Sequence, residues 1–308
     1  MTVQMTVGMT GRGVRTSVQR LTCVGANGVE LVADGHGDPH HPSVLLLHGG
    51  GQTRHSWGST AETLSSAGFY AVTADLRGHG ESGWDPDSDY SFAAQMADVE
   101  AWCHGLDRPA IVGASLGGLA GLWTEGTRAA NGRPSAGSAL VLVDIAHRSE
   151  RQGVDRILNF MSGNPDGFAS IEEAADAVAE YLPHRPRPAS TAGLARNLRL
   201  GDDGRMRWHW DPTLMDGGIR HRSGADFGRF ATLAGDLTLP VLLIRGGRSD
   251  VLSPAVVAEF LQLVPHAEFV DVGDAHHMIA GEQNDAFSTT VVEFLTRVIG
   301  ADTFGDGG

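Results

Sequence analysis

The chain has 308 residues, 41% apolar and 19% charged, enough to bury a core in one large domain or in one domain carrying an insertion. Its net charge of −14, uninterrupted by any basic run, argues against a nucleic-acid partner, which needs a clustered positive face, and more weakly against anionic membrane surfaces. All 23 basic residues are Arg, which excludes lysine Schiff-base chemistry and a P-loop lysine.

Residues 1–17 are rich in Thr, Gly, Val and Met and lack the charged start and apolar centre of a signal peptide. They read as a loose tail in which Met5 and Met9 are alternative starts. No apolar run is long enough to span a bilayer. Cys23 and Cys103 form neither a disulfide framework nor a metal-ligand spacing, which fits a reducing cytoplasm. Val18 to Ala33 reads as an antiparallel hairpin turned at Ala26-Asn27-Gly28.

Six short apolar runs then alternate with helical patterns: 43–48, 69–75, 110–113, 139–144, 240–245 and 267–272. Near-continuous apolar strands between helices predict an α/β protein whose twisted, mostly parallel sheet is covered on both faces. The rhythm breaks between about Ser149 and Asp236. That segment holds a helix candidate, Ile171 to Tyr181, then the breaker Pro183-His-Arg-Pro-Arg-Pro188 and the aromatic cluster Trp208-His209-Trp210. The expected division is a tail over 1–17, a core over 18–148 and 237–300, and a mostly helical cap over 149–236.

The strongest chemical signal is Gly113-Ala114-Ser115-Leu116-Gly117, a G-x-S-x-G pattern between a strand and a helix. Glycines permit the sharp turn that lifts a serine hydroxyl above a sheet, and the helix N-terminus behind it favours developing negative charge. Without that setting the same residues would be an ordinary glycine-rich turn. His48-Gly49-Gly50-Gly51 ends an earlier strand and can aim a backbone N–H at an oxyanion. The expected donors are Gly50, with Gly51 as the alternative, and Leu116; His48 reads as a brace for the loop.

Two carboxylates compete for the third place in a triad. Asp250 follows the strand at 240–245, and Asp144 follows the strand at 139–144. Chain order and loop context favour Asp250. The base lies in Asp274-Ala275-His276-His277-Met278, after the last strand. Serine, aspartate and histidine in that order, each after its own core strand, is far more specific than any one of them.

With these residues in place the chain resembles the α/β-hydrolase fold, in its capped, single-domain form, from about Val18 to Ile299. Asp75-Leu-Arg-Gly-His-Gly-Glu-Ser82 resembles the family's turn after its fourth strand, which makes Arg77 and His79 structural. The resemblance implies His277 as the catalytic histidine, preceded by His276 where the family usually has glycine. It also implies a serine hydrolase that cleaves a carboxylic ester, lactone or thioester through an acyl-enzyme, with no metal or organic cofactor. Ser115 at the elbow excludes the dehalogenases and epoxide hydrolases of this fold, which use aspartate there.

Alternatives are a carbon–carbon bond hydrolase of diketone-like substrates with the same triad, and a non-catalytic relative that binds a small molecule. The expected partner is a small, partly apolar substrate under the cap, with Trp208 and Trp210 as candidate lining residues. The sequence specifies neither the natural substrate nor an oligomeric state.

Overall fold

The computed structural model describes residues 4–6, 18–183, 190–215, 224–273, 275–277 and 285–300. Arg185, Arg187 and Met278 lie outside them. β1 (Gln4–Thr6) pairs antiparallel with β2 (Gln19–Val24), so part of the expected loose tail is an edge strand. β2 returns antiparallel as β3 (Glu30–His36). Asn27 (φ 56°) and Gly28 (φ 76°) take left-handed conformations in the expected turn.

The core continues as β4 (Ser43–Leu47), α1 (Gly58–Ser66), β5 (Tyr70–Ala74) and α2 (Phe92–Gly105). β6 (Ala110–Ala114), α3 (Leu116–Ala130) and β7 (Leu140–Val143) follow. The inserted segment carries α4 (Arg151–Ser162), α5 (Ile171–Tyr181), α6 (Ala192–Ala195), β8 (Leu198–Leu200) and β9 (Met206–Trp208). α7 (Gly224–Gly235), β10 (Val241–Gly246), α8 (Pro254–Leu263), β11 (Glu268–Val272) and α9 (Asp285–Val298) complete the chain.

Among the described residues the main sheet has the order β1-β2-β3-β5-β4-β6-β7-β10-β11, parallel from β5 to β11. The apolar strand runs split by parity, because alternate side chains leave a strand on opposite faces. Leu45, Leu47, Ile111, Leu142 and Leu243 pack with Trp102, Leu122, Phe230 and Phe260 on one face. Val44, Leu46, Val112, Val143 and Ile244 pack with Leu64, Val291 and Phe294 on the other. Ser91 and Ser253 cap α2 and α8 by accepting from the amides of Ala94 and Val256, each cap worth about 1 kcal/mol.

The inserted segment, the expected cap, packs Met161, Phe168, Ala174, Trp208, Trp210 and Leu214 with Tyr90 in a separate small cluster. It is less helical than expected, since β8 and β9 form an antiparallel pair. Its expected end also moves: Phe230 and Leu233 of α7 join the core cluster with Trp123, so α7 belongs to the sheet's helical layer. The chain steps from β4 outward to β5 and then back across to β6. The carboxyl ends of β4 and β6 therefore flank a switch point, with Leu47 opposite Gly113, and a crevice opens there in such sheets.

Candidate active site

Ser115 sits at this switch point, between β6 and α3. Its backbone is strained, with φ 47° and ψ −112°, a conformation that a non-glycine residue holds only when its surroundings enforce it. The surroundings are close: a Cβ on Gly117 would lie 2.4 Å from the Leu47 carbonyl oxygen, and one on Gly113 would lie 2.5 Å from the Gly117 backbone. Only glycines let strand and helix approach so nearly. The Ser115 amide donates to Val143 O at 3.2 Å, and the Gly117 amide donates to His48 O at 3.1 Å.

The glycine loop after β4 spends its outer amides. Gly49 N donates to Gln52 Oε1 at 2.9 Å, and Gly51 N donates to His79 Nε2 at 3.2 Å. The amides of Gly50 and Leu116 have no acceptor among the described residues, which leaves the two expected oxyanion donors unengaged and removes Gly51 from the choice.

His48 braces this loop as expected. Its Nδ1–H donates to Gly49 O at 2.8 Å, while Nε2 accepts from Leu76 N at 3.0 Å. His79 holds Arg77 O through Nδ1 and Gly51 through Nε2. His209 of the cap accepts from Gly80 N at 2.7 Å. Arg77 is buried and structural, as the resemblance implies, donating to Asp98 Oδ2 at 2.6 Å and Oδ1 at 2.7 Å.

The carboxylate beside His277 is Asp144 and not the expected Asp250. His277 Nδ1 lies 2.6 Å from Asp144 Oδ2. A carboxylate only accepts, so Nδ1 carries a proton, and in the neutral ring the lone pair then lies on Nε2. Asp144 is fully buried and takes a left-handed φ of 51° directly after β7. Gly246 N donates to its Oδ1 at 2.9 Å, and Ser249 Oγ donates to Oδ2 at 2.5 Å. Three donors thus compensate a carboxylate that burial would otherwise penalise.

Asp250 is elsewhere. It is exposed, and its Oδ1 accepts from Arg156 Nη2 of α4 at 2.9 Å. The loop after β10 buries Val251 and Leu252, turns Asp250 toward the cap, and brings Ser249 to the acid in its place. The chain order that favours Asp250 in the sequence fits Asp144 as well, since both aspartates lie between Ser115 and His277 and follow core strands.

Ser115 and His277 line one cavity of about 60 Å³, together with Gly49, Gly50, Gln52, Ala114, Ile157, Phe160, Met161 and Tyr181. His276 is not on its wall. No hydrogen bond joins Ser115 to His277 among the described residues, a looseness common in unliganded sites. The roof comes from α4 and α5. Neither Trp208 nor Trp210 lines the cavity: they stack on each other at 5.0 Å in the cap core, and Trp208 backs Phe160 at 5.4 Å. The sequence reading missed the roof residues and Gln52; only the position of Gln52, directly after the glycine loop, pointed to it.

Among the described residues no cluster of His, Cys, Asp or Glu side chains could hold a metal ion, and no helix is long and apolar enough to cross a membrane. Cys23 and Cys103 are both free and buried; burial pushes the Cys23 thiol up to about 12 and raises that of Cys103 as well.

A family model described as the alpha/beta hydrolase fold matches residues 42–283. Esterase Rv0045c of Mycobacterium tuberculosis is 30% identical over 254 residues, 79% of this chain and 78% of that protein. Its crystal structure superposes with a TM-score of 0.67 at 26% identity, covering 92% of this chain and 92% of that one. Protein phosphatase methylesterase 1 of Mus musculus is 35% identical over 141 residues, 44% of this chain and only 36% of its own length. The enol-lactonase of Burkholderia xenovorans LB400 superposes with a TM-score of 0.67 at 26% identity, covering 89% of this chain and 99% of that one. The chain belongs to the α/β-hydrolase family, and it is a hydrolase.

Proposed function

We propose that the protein cleaves carboxylic esters or lactones with a short acyl part, through an acyl-enzyme on Ser115. The observation that carries this reading is the His277–Asp144 hydrogen bond on the wall of the cavity that also contains Ser115 and Gly50. In the proposed reaction His277 Nε2 takes the proton of the Ser115 hydroxyl as its oxygen attacks the substrate carbonyl. Asp144 fixes the imidazole tautomer and stabilises the imidazolium. The amides of Gly50 and Leu116 receive the tetrahedral oxyanion, each worth about 3 kcal/mol by analogy with other acyl-transfer enzymes. His277 then protonates the leaving alcohol, and water releases the acid by the same path.

The substrate class follows from the wall. Ile157, Phe160 and Met161 offer carbon and a thioether, and an enclosed space of about 60 Å³ suits a short acyl chain. The names of the esterase and enol-lactonase relatives fit this chemistry.

The test is hydrolysis of p-nitrophenyl esters of increasing acyl length, with Ser115→Ala alongside. The reading expects a maximum in kcat/KM among the short chains and loss of turnover in the variant. Folded wild-type protein inactive at every length, or Ser115→Ala as active as wild type, would overturn it.

A further inference from the structure

Gln52 stands beside the nucleophile and has a free end. Its backbone amide donates to Gly49 O at 3.1 Å, and its side-chain Oε1 accepts from Gly49 N at 2.9 Å, so the side chain curls back over the glycine loop. The donor on Gly49 decides which end of the carboxamide is oxygen. The other end, Nε2, carries two N–H groups and has no acceptor among the described residues. A Cβ on Gly49 would meet Gln52 Oε1 at 3.1 Å and Ser115 Cβ at 3.3 Å, which places the carboxamide and the nucleophile on the same side of Gly49. Gln52 is the only side-chain amide on the described cavity wall.

An oriented donor on a mostly apolar wall discriminates asymmetrically. A substrate that displaces water from it and offers an oxygen regains the hydrogen bond; a plain alkyl group leaves the N–H buried and unpaired. The oxyanion already has its two unengaged amides, on Gly50 and Leu116. We infer that Gln52 Nε2 recognises an oxygen acceptor on the acyl part of the substrate, close to the scissile carbonyl. The favoured class is then esters or lactones of alkoxy, hydroxy or oxo acids rather than of simple alkanoic acids. This rests on the hydrolase reading given above and narrows it.

The experiment compares p-nitrophenyl methoxyacetate with p-nitrophenyl butyrate. The two acyl chains have equal length and differ by one ether oxygen in place of a methylene. The preference is the ratio of their kcat/KM values, measured for wild type, Gln52→Met and Gln52→Glu. Intrinsic reactivity cancels when a variant's ratio is divided by that of wild type. Glu keeps an acceptor for Gly49 N and lacks the donor; Met lacks both.

The inference expects the methoxyacetate preference to fall about tenfold in both variants. An unchanged ratio in both, even with lower rates on both esters, would overturn it, because it would confine Gln52 to holding the loop. A ratio lost in Gln52→Met and kept in Gln52→Glu would overturn it for the same reason. Wild type that turns over neither ester would remove the proposed ester-cleaving function and this inference with it.

Discussion

Lowering the pH from 7.5 to 5 should destabilise this protein through three buried histidines. His48, His79 and His209 stand in file, their ring centroids 5.2 and 5.9 Å apart. Burial, and then the neighbouring His48, lower the His79 pKa from 6.5 to about 3. Burial also lowers those of His48 and His209, the latter with help from His79. Asp75 and Arg54 pull His48 in opposite directions without reversing the shift.

Geometry agrees with electrostatics. His79 Nε2 accepts from Gly51 N, and a protonated ring would set two N–H groups against each other. The sign is fixed by which state holds the proton. Between pH 6.5 and about 3 the unfolded chain binds a proton at His79 that the folded chain refuses, so its contribution is intact above pH 6.5 and is lost as pH falls. At pH 5 that single group costs about 2 kcal/mol, and the other two act in the same direction.

Urea unfolding at pH 7.5, 6 and 5 measures the slope. His79→Gln keeps an acceptor for Gly51 N and cannot titrate, so its stability should fall less steeply over the same range. Wild-type stability that is flat to pH 5, or a slope unchanged in the variant, would refute the reasoning.

Three further outcomes are expected. Gly117→Ala should lower the melting temperature and abolish turnover, because its Cβ meets the Leu47 carbonyl at 2.4 Å and backbone cannot yield cheaply; a native-like melt would contradict the packing. Ser249→Ala should lower kcat about tenfold with little change in KM, since its hydroxyl donates to the Asp144 oxygen that holds His277; an unaltered kcat would remove it from that role. Phe160→Ala should move the acyl-length optimum toward longer chains, whereas Trp208→Ala should lower the melting temperature by weakening the cap core; a Phe160→Ala profile like that of wild type would contradict the roof assignment.

Much of this architecture is local and so was legible in the sequence. The buried strands declare themselves as Leu- and Val-rich runs, and the elbow declares itself because its glycines are forced by backbone contact. The hairpin turn at Asn27-Gly28 rests on two residues that tolerate positive φ. What escaped depends on tertiary contacts. Asp144 and Asp250 have the same local credentials, and the choice is made by where the loop after β10 buries Val251 and Leu252. Trp208 and Trp210 are large and apolar, but burial against each other and burial against a substrate look identical in one dimension. α7 falls before the strands resume, so the sequence places it in the cap, while Phe230 packs at 4.8 Å from Phe92 in the core. The cavity wall from α4 has no motif at all: Ile157, Phe160 and Met161 are the face of one amphipathic helix.

The measurement that bears most directly on the proposed chemistry is kcat/KM for Asp144→Asn beside Asp250→Asn, on the best p-nitrophenyl ester. Asparagine at 144 preserves the shape but favours the wrong imidazole tautomer, so kcat should fall by about 10³- to 10⁴-fold. Asp250→Asn alters only an exposed pair with Arg156 and should stay within about threefold of wild type. The reverse pattern, with Asp250→Asn inactive and Asp144→Asn close to wild type, would contradict the assignment of Asp144 as the acid behind His277.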